Sequence, residues 1–161
     1  MSKPLKVRAK LACDIAGIDR DRFNEAVAAG TYLCAPMTSP GSARIFEEPD
    51  LIALFVYGRL ISLNMDFSLA SAQACRVGDQ ARQMRDSGNE IAGSVTIGFA
   101  EDGKSACQIE TEPTIHNPDG KVFAGRGDGS PVVFVLTFPV GNILKIIRKR
   151  IEDHLSILGE D

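Results

Sequence analysis

The chain has 161 residues, of which 44% are hydrophobic and 24% are charged, and its formal net charge is −3. This hydrophobic content suffices for a buried core, so a disordered chain is not expected. No run of apolar residues is long enough to cross a membrane, and no apolar stretch follows the charged N-terminal residues as it would in a secretory signal. We therefore expect a soluble, cytoplasmic protein with no membrane partner.

The cysteines do not have the spacing of a metal site. The chain has four of them, and no two form a Cys-x-x-Cys pair. They are Cys13, Cys34, Cys75 and Cys107. Because free cysteine packs like a small hydrophobic residue, we predict buried, reduced thiols, no metal and no cofactor.

Two short helices are predicted near the N-terminus. Residues 6–17 carry an apolar stripe that ends at Gly17, a residue suited to the left-handed position after a helix. Asp19 then predicts the start of a second helix, which runs from Arg20 to about Ala29. Two helices joined by so short a turn are typical of a helix-turn-helix.

The next segment predicts a hairpin, or wing, followed by two longer helices. Residues 33–46 have turn-forming residues in the middle and β-prone residues on either side. Residues 47–50 are an acidic, proline-containing helix start, and the apolar run that continues to Leu63 predicts a buried helix. Ser68 is the predicted cap of a fourth helix, which ends at about Arg85.

A change of composition near residue 86 predicts a domain boundary, with domains over residues 1–86 and 91–161. Alternation and turn signals beyond the boundary predict strands, the last of them buried, and a final helix with one apolar stripe. The predicted strands cover residues 91–99, 105–112, 121–124 and 132–138. The predicted fold class is α+β: an N-terminal winged helix-turn-helix followed by a small antiparallel β-sheet domain with a C-terminal helix.

Two short strings support this organisation. Residues 44–51 read Arg-Ile-Phe-Glu-Glu-Pro-Asp-Leu, and residues 64–69 read Asn-Met-Asp-Phe-Ser-Leu. In this order and spacing they resemble the wing end, third helix and fourth-helix start of the MerR superfamily, including its excisionase-like and phage-regulator relatives. The resemblance covers about residues 6–80. It implies that the second helix enters the major groove of duplex DNA while the wing contacts phosphate.

The resemblance also implies which residues contact bases. Arg20, Arg22 and Asn24 lie on the polar side of the second helix. Arginine pairs with guanine and asparagine with adenine, so these three are the candidates for reading the sequence. The alternative is that they form an ordinary solvated helix face.

Three further residues complete the expected DNA contacts. Arg44, beside the wing, would bind phosphate, and Lys10 and Tyr32 would contribute as well. The alternative for Arg44 is a local ion pair with Glu47 or Glu48. An isoelectric point of about 5.4 is unusual for a DNA-binding protein, but the first 22 residues hold six basic and three acidic residues.

The expected function is transcriptional regulation by site-specific binding to double-stranded DNA as a homodimer, with an effector that the sequence does not identify. No set of catalytic groups is visible, so an enzyme is not expected. The dimer contact is expected at the edge of the C-terminal sheet or at the apolar stripe of the last helix, which consists of Ile143, Ile147, Ile151 and Leu155. The alternative is a protein-interaction module, such as an antiactivator or a phage adaptor, that uses the helix-turn-helix as a docking surface.

Overall fold

A computed structural model describes residues 5–101, 106–109 and 132–158. In chain order its elements are β1 (Lys6–Arg8), α1 (Ala9–Ala16), α2 (Arg20–Ala28), β2 (Ile45–Glu47), α3 (Glu48–Ser62), α4 (Phe67–Asp86), β3 (Val95–Ala100), β4 (Ala106–Ile109), β5 (Val132–Phe138) and α5 (Val140–Leu158). The fold is α+β, as predicted from the sequence. The strand expected over residues 121–124 lies outside the described residues.

The N-terminal helices follow their sequence signals, but the strands around them do not. Residues 6–8 form a strand instead of the first turn of α1, and β1 pairs antiparallel with β2, with Val7 opposite Phe46. The hairpin predicted within residues 33–46 is therefore wrong, because residues 33–44 contain no strand. Pro36 and Pro40 lack the N–H groups that a hairpin ladder needs. In β1, Val7 is buried between exposed neighbours, the alternation of a half-buried strand.

Helices α3 and α4 form the centre of the N-terminal part. Helix α3 begins at the acidic, proline-containing segment as predicted, and its apolar residues are buried on nearly every side. The cap of α4 is Asp66 and not Ser68: its carboxylate accepts hydrogen bonds from the N–H groups of Ser68 (3.0 Å) and Leu69 (3.1 Å). Gly78 allows close packing of the two helices, since a Cβ there would lie 2.8 Å from the Cβ of Ala53.

The second sheet has the order β4-β3-β5, and all its pairs are antiparallel. Strand β3 lies in the middle and is buried, with Ile97 fully enclosed. The prediction that residues 132–138 form a strand is confirmed, but the prediction that this strand is buried is wrong. Val133 and Phe134 are 54% and 45% exposed. The reason is position: β5 is an outer strand, and β3 is the only strand paired with it in the described part of the sheet.

Helix α5 packs against α1 and α3 of the same chain. Ile143, Ile147 and Ile151 are 6%, 0% and 4% exposed. The prediction that these three residues form a dimer contact is therefore wrong, because their side chains already lie in the hydrophobic core of their own chain. Leu155, the fourth residue of the predicted stripe, is 57% exposed. The predicted domain boundary coincides with the end of α4, yet one core includes residues from both sides of it.

Cys34 and Cys75 form a disulfide, with their Cα atoms 5.6 Å apart. The prediction of reduced thiols is thus wrong for this pair, because the fold brings together two cysteines that are 41 residues apart in the chain. Cys13 is a free, buried cysteine, as predicted. Within the described ranges, no helix is both long and apolar enough to span a bilayer.

Candidate nucleic-acid interface

A turn of three residues joins α1 to α2. Gly17 adopts the left-handed conformation (φ 69°), which favours glycine, and the next N–H, that of Ile18, donates to the carbonyl of Cys13 (3.0 Å). Asp19 caps α2, because its carboxylate accepts a hydrogen bond from the N–H of Arg22 (3.0 Å). Both ends of the turn are thus closed by local hydrogen bonds, as the sequence predicts.

Helix α2 is held in place by one buried side chain. Phe23 is 1% exposed, and its ring centroid lies 5.4 Å from that of Tyr32 and 5.8 Å from that of Phe46. The ring of Tyr57 on α3 lies 4.8 Å from Tyr32. These four side chains, which we call the aromatic cluster, join α2, β2 and α3. Ala26 and Val27 are partly buried against the core, and the other residues of α2 are exposed and available for a partner.

The basic and amide residues predicted to contact DNA on the first two helices are exposed. They are Lys10 on α1 and Arg20, Arg22 and Asn24 on α2. The structure therefore leaves these side chains accessible from solvent, which both the DNA-contact interpretation and the alternative of a solvated face require.

Two acidic residues share this surface. At about 100° per residue, Asp21 and Glu25 lie one turn apart and point away from the buried Phe23. Arg20 and Arg22 lie on opposite flanks of this acidic pair. The outermost line of α2 is therefore negative, with positive charge on both sides of it.

Arg44 is half-buried, and its Nη1 donates a hydrogen bond to the carbonyl of Pro36 (2.8 Å). The alternative ion pair with Glu47 or Glu48 is not what the structure shows. Glu47 accepts from Arg85 (2.7 Å), and Glu48 accepts from Arg148 (2.7 Å). The hydrogen bond from Arg44 to Pro36 joins the two ends of the segment of residues 36–44.

Tyr32 belongs to the core and not to a DNA-binding surface. It is 3% exposed, and burial, with a smaller contribution from the charge of Asp50, raises the pKa of its hydroxyl far above the usual value. The prediction that Tyr32 contacts DNA is therefore wrong. Among the residues that the structure describes, its hydroxyl has no hydrogen-bond partner.

A groove of about 530 Å³ lies beside α2, between this helix, α3 and the start of α4. Ile18, Ile61 and Phe67 give it apolar walls, and Arg22 and Glu25 reach it from α2. Sequence analysis missed this groove. The available signal was Gly58, a glycine within an apolar helix, which typically marks a close approach of backbone or side chains.

In the described part of the chain, no group of three or more histidine, cysteine, aspartate or glutamate side chains could hold a metal ion. The candidate surface consists of α2, its neighbours and the segment that follows it. No protein-family model matches the sequence, and comparison with the curated proteins finds no significant relative.

Proposed function

We propose that this protein is a transcriptional regulator that binds duplex DNA site-specifically, through a winged helix-turn-helix of the MerR type. One observation carries the proposal: α2 is anchored by Phe23 while Arg20, Arg22 and Asn24 remain exposed. A helix with a single anchored side and free polar flanks fits into the major groove, which is about 12 Å wide.

In this proposal the residues divide into two groups. Arg20, Arg22 and Asn24 contact base edges, since guanidinium and amide groups match the acceptors and donors of guanine and adenine. Lys10 and Arg44 contact phosphates and set the position of the protein on the duplex. Residues 33–44, which are exposed between positions 37 and 43, take the place of the wing.

The charges of α2 set the expected strength of binding. Asp21 and Glu25 lie on the outer line of the helix and repel phosphates. The attraction that holds the helix in the groove therefore has to come from the arginines on either side of them. Neutralising several phosphates releases counterions, and binding should weaken as salt rises. We expect a marked preference for one sequence combined with low affinity for random duplex.

The proposal includes a homodimer, since many helix-turn-helix proteins bind two half-sites of a palindrome. Its contact has to lie outside the buried stripe of α5. Exposed apolar side chains on the flanks of that helix are available: Ile146, Leu155 and Ile157 are 44%, 57% and 74% exposed.

The test is selection of a preferred duplex from a randomised library, followed by titrations on the preferred and on a random duplex over a range of salt concentrations. Arg22→Ala should cost about 1 to 3 kcal/mol on the preferred duplex and less on the random one. Arg44→Ala should weaken both about equally and lower the log–log salt slope by about one unit.

Two controls accompany this test. Arg44→Lys keeps the charge and should retain most of the salt slope, which separates loss of a phosphate contact from loosening of residues 36–44. Lys149→Ala, an exposed residue on α5, should bind like the parent. A flat salt response, or equal affinity for every duplex, would contradict the proposal.

A second function is favoured by the groove and the acidic line of α2. Apolar walls of this size beside charged residues suit an inserted side chain of a protein partner. In that case α2 docks on a protein, as an antiactivator or a phage adaptor would. Phe67→Ser, at the groove wall, should then abolish partner binding, while DNA binding should be absent in the parent protein as well.

A further inference from the structure

Residues 33–44 leave the core immediately after Tyr32 and return to it at Phe46. Both anchors are buried, at 3% and 0% exposure, and both contact Phe23 in the aromatic cluster. Residues 33–44 form no helix or strand, and Met37 is 96% exposed. The ends of the segment are thus fixed by apolar packing, whereas its middle depends on a few specific attachments.

Two of these attachments lead to the same face of α4. The N–H of Leu33 donates to Oγ of Ser71 (2.9 Å), and one residue later Cys34 is bonded to Cys75. Ser71 and Cys75 are one helical turn apart, and Oγ of Ser71 lies 3.9 Å from Sγ of Cys75. A covalent and a non-covalent contact therefore fasten the start of the segment to one site on α4.

The two bonded cysteines are partly exposed, whereas Cys13 is not. Cys34 and Cys75 are half-buried, and an attacking thiol has to reach one of their sulfur atoms from the exposed side. Cys13 is fully buried, and burial raises the pKa of its thiol to about 11. Cys13 can therefore serve as an internal control, because its thiol should stay unreactive while the Cys34–Cys75 disulfide is exchanged.

We propose that Cys34 and Cys75 are a redox-responsive fastening of residues 33–44 to α4: the disulfide holds the segment down, and reduction releases it while the rest of the fold persists. The fold persists because Tyr32 and Phe46, which flank the segment, stay packed around Phe23. The consequence for DNA rests on the proposed function, in which this segment carries Arg44 to a phosphate.

The exchange requires a dithiol reductant. A thiolate of the dithiol attacks one protein sulfur, the Cys34–Cys75 bond breaks, and a mixed disulfide forms. The second thiol of the reductant then displaces the protein sulfur. The protein gains two electrons and two protons, and the dithiol becomes a disulfide. Oxidised glutathione reverses the reaction in two exchange steps. One protein thiolate forms a mixed disulfide and releases a first glutathione thiol, and the second protein thiolate then displaces the other glutathione thiol and re-forms the Cys34–Cys75 bond.

The test compares the full-length chain before and after dithiothreitol treatment under native conditions. Digestion with thermolysin, which cleaves before apolar residues such as Met37, should be about tenfold faster in the reduced form, because a protease needs the backbone on both sides of the exposed bond to open and the bond to Cys34 restrains it. Circular dichroism should show the same helix content in both forms. Oxidised glutathione should restore the slow rate.

Peptide-level mass mapping after alkylation should find Cys34 and Cys75 labelled in the reduced form and Cys13 unlabelled. Cys34→Ser and Cys75→Ser should each be cleaved at the fast rate, with or without dithiothreitol. An unchanged cleavage rate on reduction would overturn the proposal. So would a disulfide that opens only in denaturant, or a loss of helix signal on opening, since each would mean a purely structural bond.

DNA titrations of the oxidised and the reduced protein test the proposed function, whereas the cleavage experiment tests the redox switch. Failure of both forms to bind any duplex counts against the proposed function and leaves the cleavage result to decide the switch. Where DNA binds, the proposal predicts different affinities for the two forms, and equal affinities would show that the segment does not contact the duplex.

Discussion

Helix α2 buries one of its nine residues, whereas α3 buries eleven of its fifteen. Helix α3 contacts α1, α4 and α5, so most of its sequence is determined by packing. Helix α2 depends on Phe23, on its capped N-terminus and on the partial packing of Ala26 and Val27, and its exposed positions can vary without cost to the core. Helix α3 thus mainly stabilises the fold, whereas α2 mainly presents exposed side chains to solvent. Mutations in the two helices should differ accordingly in their effect on stability.

The largest loss of stability is expected from a mutation of Phe23, the one fully buried side chain of α2. Phe23→Ala should lower the free energy of unfolding by about 3 to 5 kcal/mol, because the aromatic cluster loses its central ring. Urea denaturation followed by circular dichroism measures this loss. Arg20→Ala, on the same helix but exposed, should change stability by no more than about 0.5 kcal/mol. A small effect of Phe23→Ala would mean that α2 has another anchor.

A second variant tests how closely α3 approaches the turn before α2. A Cβ at position 58 would lie 2.9 Å from the carbonyl oxygen of Ala16 and 3.0 Å from the side chain of Ile18. Gly58→Ala should therefore destabilise the protein by about 1 to 2 kcal/mol, although alanine gains about 1 kcal/mol of helix propensity over glycine. Thermal unfolding would check this. A stabilised variant would show that the turn and α3 are not in tight contact.

The start of α3 is also tied to its neighbours by charge. Hydrogen bonds from Arg85 and Lys6 lower the pKa of Glu47. A lowered folded-state pKa means that the contribution of Glu47 to stability is complete above its ordinary pKa of about 4.3 and disappears as the pH falls through the lower folded value.

Because these ion pairs are partly exposed, the effect should be at most about 1 kcal/mol. Glu47→Gln should cost this amount at pH 7 and nothing at a pH low enough to protonate the parent carboxylate, whose pKa is lowered. Denaturant titrations at the two pH values measure the difference. The same loss at both pH values would assign the effect to the hydrogen bonds and not to the charge.

The smallest effect is expected where α2 and α3 meet. Tyr32→Phe removes a buried hydroxyl that has no hydrogen-bond partner in the described structure, so stability should stay the same or rise by up to about 1 kcal/mol. DNA binding should be unchanged. A clear loss of stability would reveal a partner for the hydroxyl, and a loss of DNA binding alone would return Tyr32 to the interface.

The parts of the fold that the sequence predicts are those fixed by local chemistry. Asp19 and Gly17 mark the turn between α1 and α2 because a cap and a left-handed residue act on their own neighbours. Pairing of β1 with β2, by contrast, joins Val7 to Phe46, and no local signal specifies such a partner. The same holds for Cys34 and Cys75, which the packing of α4 brings together.

The candidate site shows the same limit. Arg20 and Arg22 were predicted to be exposed because helical periodicity assigns each residue a face. Amphipathicity also predicts the apolar stripe of α5, but it identifies the buried face and not what covers it. The sequence therefore cannot show that Ile147 is covered by α1 and α3 and not by a second copy. Tyr32 was misassigned because aromatic residues serve both cores and interfaces.

The hydrophobic core can be completed only after α5 has been synthesised, because α5 contacts residues that lie far earlier in the chain. Arg148 bonds to Glu48, 100 residues earlier, and Arg150 donates to the carbonyl of Ile15, 135 residues earlier. At a synthesis rate of about 5 to 20 residues per second, α3 leaves the ribosome roughly 5 to 20 s before its partner on α5. During that interval the apolar surfaces of α1 and α3 that α5 later covers stay open to water. The nascent chain therefore passes through a partly assembled state whose lifetime is set by translation and not by the folding of α1–α4.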